Sequence, residues 1–105
     1  MIPQVVQILA GEYFTVYAYF LDGAIRLLDA KPLLKQGGVF SPLRDQDTFR
    51  NSLTVMNGTV AWDLEGTRNA STCIDIDPCE LYDSCPSTID PLQEAIVSDP
   101  QLDPQ

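Results

Sequence analysis

The sequence predicts an α+β fold, a small antiparallel β meander of two hairpins plus a first strand, with short helices. Three observations predict it. Asp22-Gly23 lies between the apolar runs Tyr13–Phe20 and Ala24–Asp29. Asn57-Gly58 lies between Leu53–Met56 and Thr59–Asp63. Asx-Gly pairs between such runs mark hairpins, because a type I′ turn needs positive φ at both central residues. Third, Ser41-Pro42 and Asp77-Pro78 place a capping side chain before a proline, the pattern of a helix start.

Taken in order, residues 3–9 suit a first strand, with Pro3 at its beginning, where a missing N–H does least harm. Strand alternation then puts Phe14, Val16, Ala18 and Phe20 on one face and Tyr13, Thr15, Tyr17 and Tyr19 on the other. A two-residue turn at Asp22-Gly23 pairs Phe20 with Ile25 and Ala18 with Leu27, an apolar core face. It pairs Tyr19 with Arg26 and Tyr17 with Leu28 on the opposite face. A helical turn is expected at 31–35 and a helix over 42–50. The latter splits into two pieces if Asp45 or Asp47 starts a second. The second hairpin pairs Met56 with Thr59, Val55 with Val60, Thr54 with Ala61 and Leu53 with Trp62. Residues 65–72 read as a loop, 73–76 as one more short strand, and 77–82 as a helical turn carrying Leu81 and Tyr82.

After Cys85 the composition changes. Residues 86–105 contain four prolines and no Lys or Arg. The expected organisation is a single domain over 1–85 followed by an acidic, Pro-rich C-terminal tail over 86–105, partly disordered. Charge follows the same division. Residues 1–68 hold six basic and seven acidic groups, net −1, and residues 69–105 hold eight acidic groups and no basic one, net −8. This balance disfavours direct nucleic-acid binding, which needs clustered Lys and Arg. The longest mostly apolar run, Tyr13–Leu21, is too short to span a bilayer. With no recognisable leader and an odd number of cysteines, three, a reducing cytoplasm is the expected location.

The sequence contains no histidine. Ser-His and Cys-His catalysis are therefore excluded, and most transition-metal sites with them. Cys73, Cys79 and Cys85 are six residues apart, whereas zinc modules favour ligand pairs two to four apart. No catalytic residue, cofactor or metal site is expected. Asp75, Asp77, Glu80 and Asp83 form the densest acidic cluster. They lack the glycine and closing glutamate of a calcium loop, and Asp77 is accounted for as a helix cap. Trp62 reads as core or interface filling. Tyr13, Tyr17 and Tyr19 with Arg26 and Leu28 are the candidate partner surface, because Tyr and Arg are enriched at interface cores. The plainer reading is that helices or the first strand cover that face.

The ordered motifs Pro3-Gln4-Val5-Val6, Phe20-Leu21-Asp22-Gly23, Arg26 to Pro32, Gly38 to Leu43 with Phe49, Thr59 to Trp62, and Asp75-Ile76-Asp77-Pro78 with Leu81-Tyr82 carry a resemblance. Over about residues 1–85 the chain resembles small bacterial proteins catalogued as domain of unknown function 2442. The resemblance implies a small α+β domain and supplies no catalytic residue or cofactor. It also implies a place in a two-gene, toxin–antitoxin-like pair, beside a small protein partner. Some family members carry a helix-turn-helix domain after this one; here the short acidic tail departs from them.

The leading expectation is a non-enzymatic protein-interaction module that binds a small protein or itself, as a homo-oligomer, with no membrane partner. One alternative is a small-ligand or divalent-ion-binding domain, or an enzyme, using Asp75–Asp83. Another is a regulatory domain lacking its DNA-binding partner domain.

Overall fold

Both hairpins form, and they differ in how they turn. The computed structural model describes residues 2–69 and 72–92. In it β1 (Val5–Ala10), β2 (Thr15–Phe20) and β3 (Ile25–Asp29) make one antiparallel sheet in the order β1-β2-β3. β4 (Leu53–Met56), β5 (Thr59–Trp62) and the short β6 (Ile74–Asp75) make a second, in the order β4-β5-β6. Between the sheets in sequence lie α1 (Lys31–Gln36), a 3-10 stretch over Gly38–Arg44 and α2 (Gln46–Ser52); α3 (Pro78–Ser84) follows β6.

The second hairpin has the expected register, Leu53 with Trp62 through Met56 with Thr59. Asn57 and Gly58 both have positive φ, 54° and 72°, as a type I′ turn requires. The first hairpin corrects the sequence reading. Tyr19 pairs with Ile25, Ala18 with Arg26, Tyr17 with Leu27 and Val16 with Leu28. The return strand is shifted by one residue from the expected register. The cause is the loop, in which only Gly23 has positive φ, at 93°. Phe20 N–H donates to Ala24 O at 2.8 Å and Gly23 N–H to Phe20 O at 2.9 Å, so Leu21, Asp22 and Gly23 form a three-residue loop with glycine in the left-handed position. Asp22 instead uses its carboxylate to accept from Ala24 N–H at 2.9 Å. Because strand side chains alternate, the shift turns Leu28 into the core and Ile25 and Leu27 away from it.

One core takes residues from both sheets and every helix. Val5, Val16, Ala18, Phe20 and Leu28 meet Leu34, Leu43, Phe49, Val60, Trp62 and Leu81. Phe49 links the two ends, edge-on to Phe14 at 5.2 Å and tilted against Trp62 at 5.4 Å. β5 is buried along its whole length, as the central strand of a covered sheet should be. The sheets also touch directly, since Val5 N–H donates to Gly58 O at 2.8 Å.

The expected helix over 42–50 divides at Asp45, whose carboxylate accepts from Asp47 N–H and caps α2. Asp77 caps α3 in the same way, accepting from Cys79 N–H at 2.9 Å with Pro78 at the first position. After α3 the backbone runs along the open edge of β3. Leu27 N–H donates to Pro86 O and Thr88 N–H to Ile25 O, each at 3.0 Å, with Ser87 opposite Arg26. The first seven residues of the acidic segment are thus described, and its remainder, 93–105, lies outside the described residues. Among the described residues no helix is long and apolar enough to cross a membrane.

Candidate partner surface

The first sheet has a face turned away from the core. Strand pairing sets Gln7 beside Tyr19 and Leu9 beside Tyr17 on β1, and Ile25 and Leu27 beside the same tyrosines on β3. Val5, Val16, Ala18, Phe20 and Leu28 occupy the other side and are buried. The outer face therefore carries Leu9, Tyr17, Tyr19, Ile25 and Leu27 in adjacent positions, all half-buried. No Lys or Arg stands on it. Of the sequence-predicted set, Tyr17 and Tyr19 lie on this face. Leu28 does not, because the three-residue loop turns it inward.

Arg26 is on the core side with Leu28. It sits at the sheet edge, where its guanidinium carbon lies 4.6 Å from the Tyr82 ring centroid and its Nε donates to Tyr82 O at 2.9 Å. Its Nη1 also donates to Ser87 Oγ. Arg26 thus fastens α3 and the following segment to β3. Of the members that sequence reasoning missed, Ile25 and Leu27 follow from the pairing once the loop length is known, and Leu9 follows from the β1–β2 register, which shifts between Val5 and Gln7.

Tyr13 is presented differently. It precedes β2 in the tight turn from β1, and both it and Phe14 have positive φ, 54° and 64°. Left-handed backbone costs a non-glycine residue roughly 1–2 kcal/mol, so two in succession require support. Thr15 Oγ1 donates to Glu12 O at 2.6 Å, Lys31 Nζ to Tyr13 O at 3.1 Å and Ala30 N–H to Phe14 O at 2.9 Å. Phe14 is turned onto Phe49, and the Tyr13 side chain is left 70% exposed. Gly11 leaves room for the Thr15 hydroxyl and for the Tyr17 ring, since a β-carbon there would collide with Thr15 Oγ1 and lie 3.2 Å from Tyr17 Cε1.

At the other end of the face, Tyr19 OH donates to Asp90 Oδ1 at 2.8 Å. Loss of solvent and then this bond push the Tyr19 phenol up to about 12. The segment after α3 therefore pairs with β3 and then reaches across to the tyrosine side of the sheet.

The family described as protein of unknown function (DUF2442) matches residues 5–87 of the chain. The chain belongs to this family. The DUF2442 match begins at the first residue of β1 and ends at Ser87, opposite Arg26. It encloses both sheets, all three helices and the whole outer face. No curated protein and no solved structure matches the chain.

The acidic cluster of this DUF2442 chain is spread out. Asp75, Asp77 and Glu80 border a depression of about 280 Å³ floored by Leu28, Leu33 and Leu81. Asp83 does not border it, and Asp77 is engaged in capping. Among the described residues no three acidic or cysteine side chains converge as metal ligands would. The cysteines are free. Burial pushes the Cys73 thiol up, with the Asp63 carboxylate adding to it, and Cys73 Sγ lies 3.4 Å from Met56 Sδ.

A larger cavity, about 390 Å³, lies between Pro3, Gln4, Phe20, Leu21 and Tyr82. Its rim holds the bond from Tyr82 OH to Asp22 Oδ2, 2.6 Å. That bond holds the Asp22 carboxyl below the usual carboxylate range and raises the Tyr82 phenol.

Proposed function

We propose that this chain is a non-enzymatic, cytoplasmic interaction module that binds a small protein partner through the outer face of its first sheet, as one half of a toxin–antitoxin-like pair. The row Leu9, Tyr17, Tyr19, Ile25 and Leu27 carries the reading, because it lies on the sheet face turned away from the core and stays partly exposed. Tyr13, held exposed on a strained turn, adds support. Backbone strain is retained where the surrounding structure enforces it, often at functional positions, and exposed tyrosines are frequent binding hot spots.

Co-expression with the product of the adjacent gene tests the reading. A complex that co-elutes, with each protein stabilised by the other, is expected. Tyr13→Ala is expected to weaken that complex by about 2 kcal/mol, roughly 30-fold, while leaving the unfolding midpoint of the free chain nearly unchanged. Phe20→Ala, in the core, is expected to cost about 3–5 kcal/mol of folding stability. Absence of both a complex and mutual stabilisation would sink the proposal.

A further inference from the structure

We infer that the protein partner adds an extended strand to the outer edge of β3, in place of this chain's own residues 86–88; the inference rests on the interaction role proposed above and names the edge that serves it. Backbone groups alternate in direction along a strand. Phe20 N–H donates to Ala24 O, so Ala24, Arg26 and Leu28 face β2, and the N–H and C=O of Ile25 and Leu27 point out of the sheet. The segment after α3 occupies that edge incompletely. Leu27 N–H donates to Pro86 O, and Thr88 N–H donates to Ile25 O. A full antiparallel pair exchanges two bonds, and here each pair makes one. Pro86 has no N–H to give to Leu27 C=O. Among the described residues Ile25 N–H makes no bond to the segment. Ser87 opposite Arg26 is the single bridge, and Ile89 beyond it is left 65% exposed.

The residues facing this edge specify the side chains of the added strand. Ser87 accepts from Arg26 Nη1 on the core side of the sheet. Arg26 makes no ion pair among the described residues. Asp22 feels its charge but is engaged by Tyr82 OH and Ala24 N–H. An Asp or Glu in the place of Ser87 gives the guanidinium a charge-assisted partner. The neighbouring positions, opposite Leu27 and Ile25, project to the other side, beside Tyr17 and Tyr19 on the outer face. The pleat therefore calls for an apolar–acidic–apolar sequence. Such a strand makes the bonds that Pro86 withholds, and it widens the apolar row of the outer face. Main-chain bonds along a sheet edge with pockets for alternate side chains are an established mode of peptide recognition.

The test is an NMR titration of the full isotope-labelled chain with two short synthetic peptides, one centred on Val-Asp-Val and the other on Val-Lys-Val. The first is expected to shift the amides of Ile25 and Leu27 and, as the segment leaves, those of Ser87 and Thr88. The second is expected to bind at least about tenfold more weakly. Pro86→Val supplies the missing N–H and is expected to weaken Val-Asp-Val binding roughly fivefold, the scale of one backbone hydrogen bond. Thr88→Pro removes a donor and is expected to strengthen it by a similar factor. Hydrogen exchange at Leu27 N–H in the free variants reads the segment's attachment independently, slower in Pro86→Val and faster in Thr88→Pro. Affinities that do not follow the exchange rates, equal binding of the two peptides, or no shift at Ile25 and Leu27 would each overturn the inference. The same amides shifting with chain concentration alone would assign the edge to a second copy and overturn it too. A complex with the adjacent-gene product whose affinity is the same in both variants removes the edge and leaves the outer-face reading standing. Peptide binding at the edge without any such complex removes the pair and leaves the edge.

Discussion

Tyr19 is where the tyrosine face and the acidic segment meet, and its ionisation reports that contact. In the folded chain its phenol is pushed from 10.0 up to about 12, by lost solvent and by the bond to Asp90. An acid whose folded value lies above its unfolded value stabilises the fold in full below the unfolded value, and that stabilisation is lost as pH rises through the folded one. Stability is therefore expected to decline between about pH 10 and pH 12. Absorbance titration of the folded chain should show two late-titrating tyrosines, Tyr19 and Tyr82. Asp90→Asn should move the Tyr19 step earlier, and Tyr19→Phe should leave only the step that Asp22→Asn shifts; two late steps surviving Tyr19→Phe would break the assignment. Asp22 has the opposite sign. Its carboxyl is held low mainly by the Tyr82 hydroxyl, so its contribution is lost as the solution becomes acid. Caps were legible residue by residue, because Asp45 and Asp77 act on backbone N–H groups only two positions away. The Tyr19–Asp90 bond joins residues 71 apart in sequence, and no local pattern announces it.

At the scale of elements, two Asx-Gly hairpins in one chain show what a turn motif does and does not determine. Asn57 accepts the left-handed conformation beside Gly58, and the register over 53–62 follows from counting outward. Asp22 does not adopt it; its carboxylate binds Ala24 N–H, and Leu21 joins the loop. That single added loop residue exchanges Leu28 with Leu27 between the faces. Tyr17 and Tyr19 were legible on β2, whose alternation does not depend on the turn, whereas Ile25 and Leu27 on β3 depended on a choice between turn types. The two turn glycines should also respond differently to a methyl group. Gly58 has φ 72° and Gln4 Cγ 3.2 Å from where a β-carbon would sit, whereas Gly23 has φ 93° and nothing within 4 Å. Gly58→Ala should therefore cost more than the roughly 1–2 kcal/mol of left-handed strain, and Gly23→Ala only that strain. Denaturant unfolding of both variants gives the order, and a larger loss at Gly23 would contradict the contact between Gln4 and the second hairpin.

For the molecule as a whole, the change of composition at Cys85 is plain in the sequence, but composition does not reveal pairing. Four short links follow that point: backbone bonds joining Pro86 and Thr88 to β3, the bond from Arg26 to Ser87, and the bond from Tyr19 to Asp90. They cover the hydrogen-bonding edge of β3, and uncovered edges invite association. A chain ending at residue 92 should keep the bonds of Pro86, Thr88 and Asp90 to the first sheet. One ending at residue 85 should unfold at lower denaturant and self-associate, as light scattering would show. Equal behaviour of the two truncations would mean that the segment adds nothing to the sheet.

Trp62 is the sole tryptophan. It is fully buried against Phe49, and its Nε1–H has no acceptor among the described residues. An indole in so dry and apolar a setting emits to the blue of one in water and shifts red when the core opens. The core thus contains its own optical reporter, set apart from the tyrosines of the outer face. Partner binding and unfolding are therefore spectroscopically separable in the unmodified protein, with the indole following the interior and the phenols following the surface.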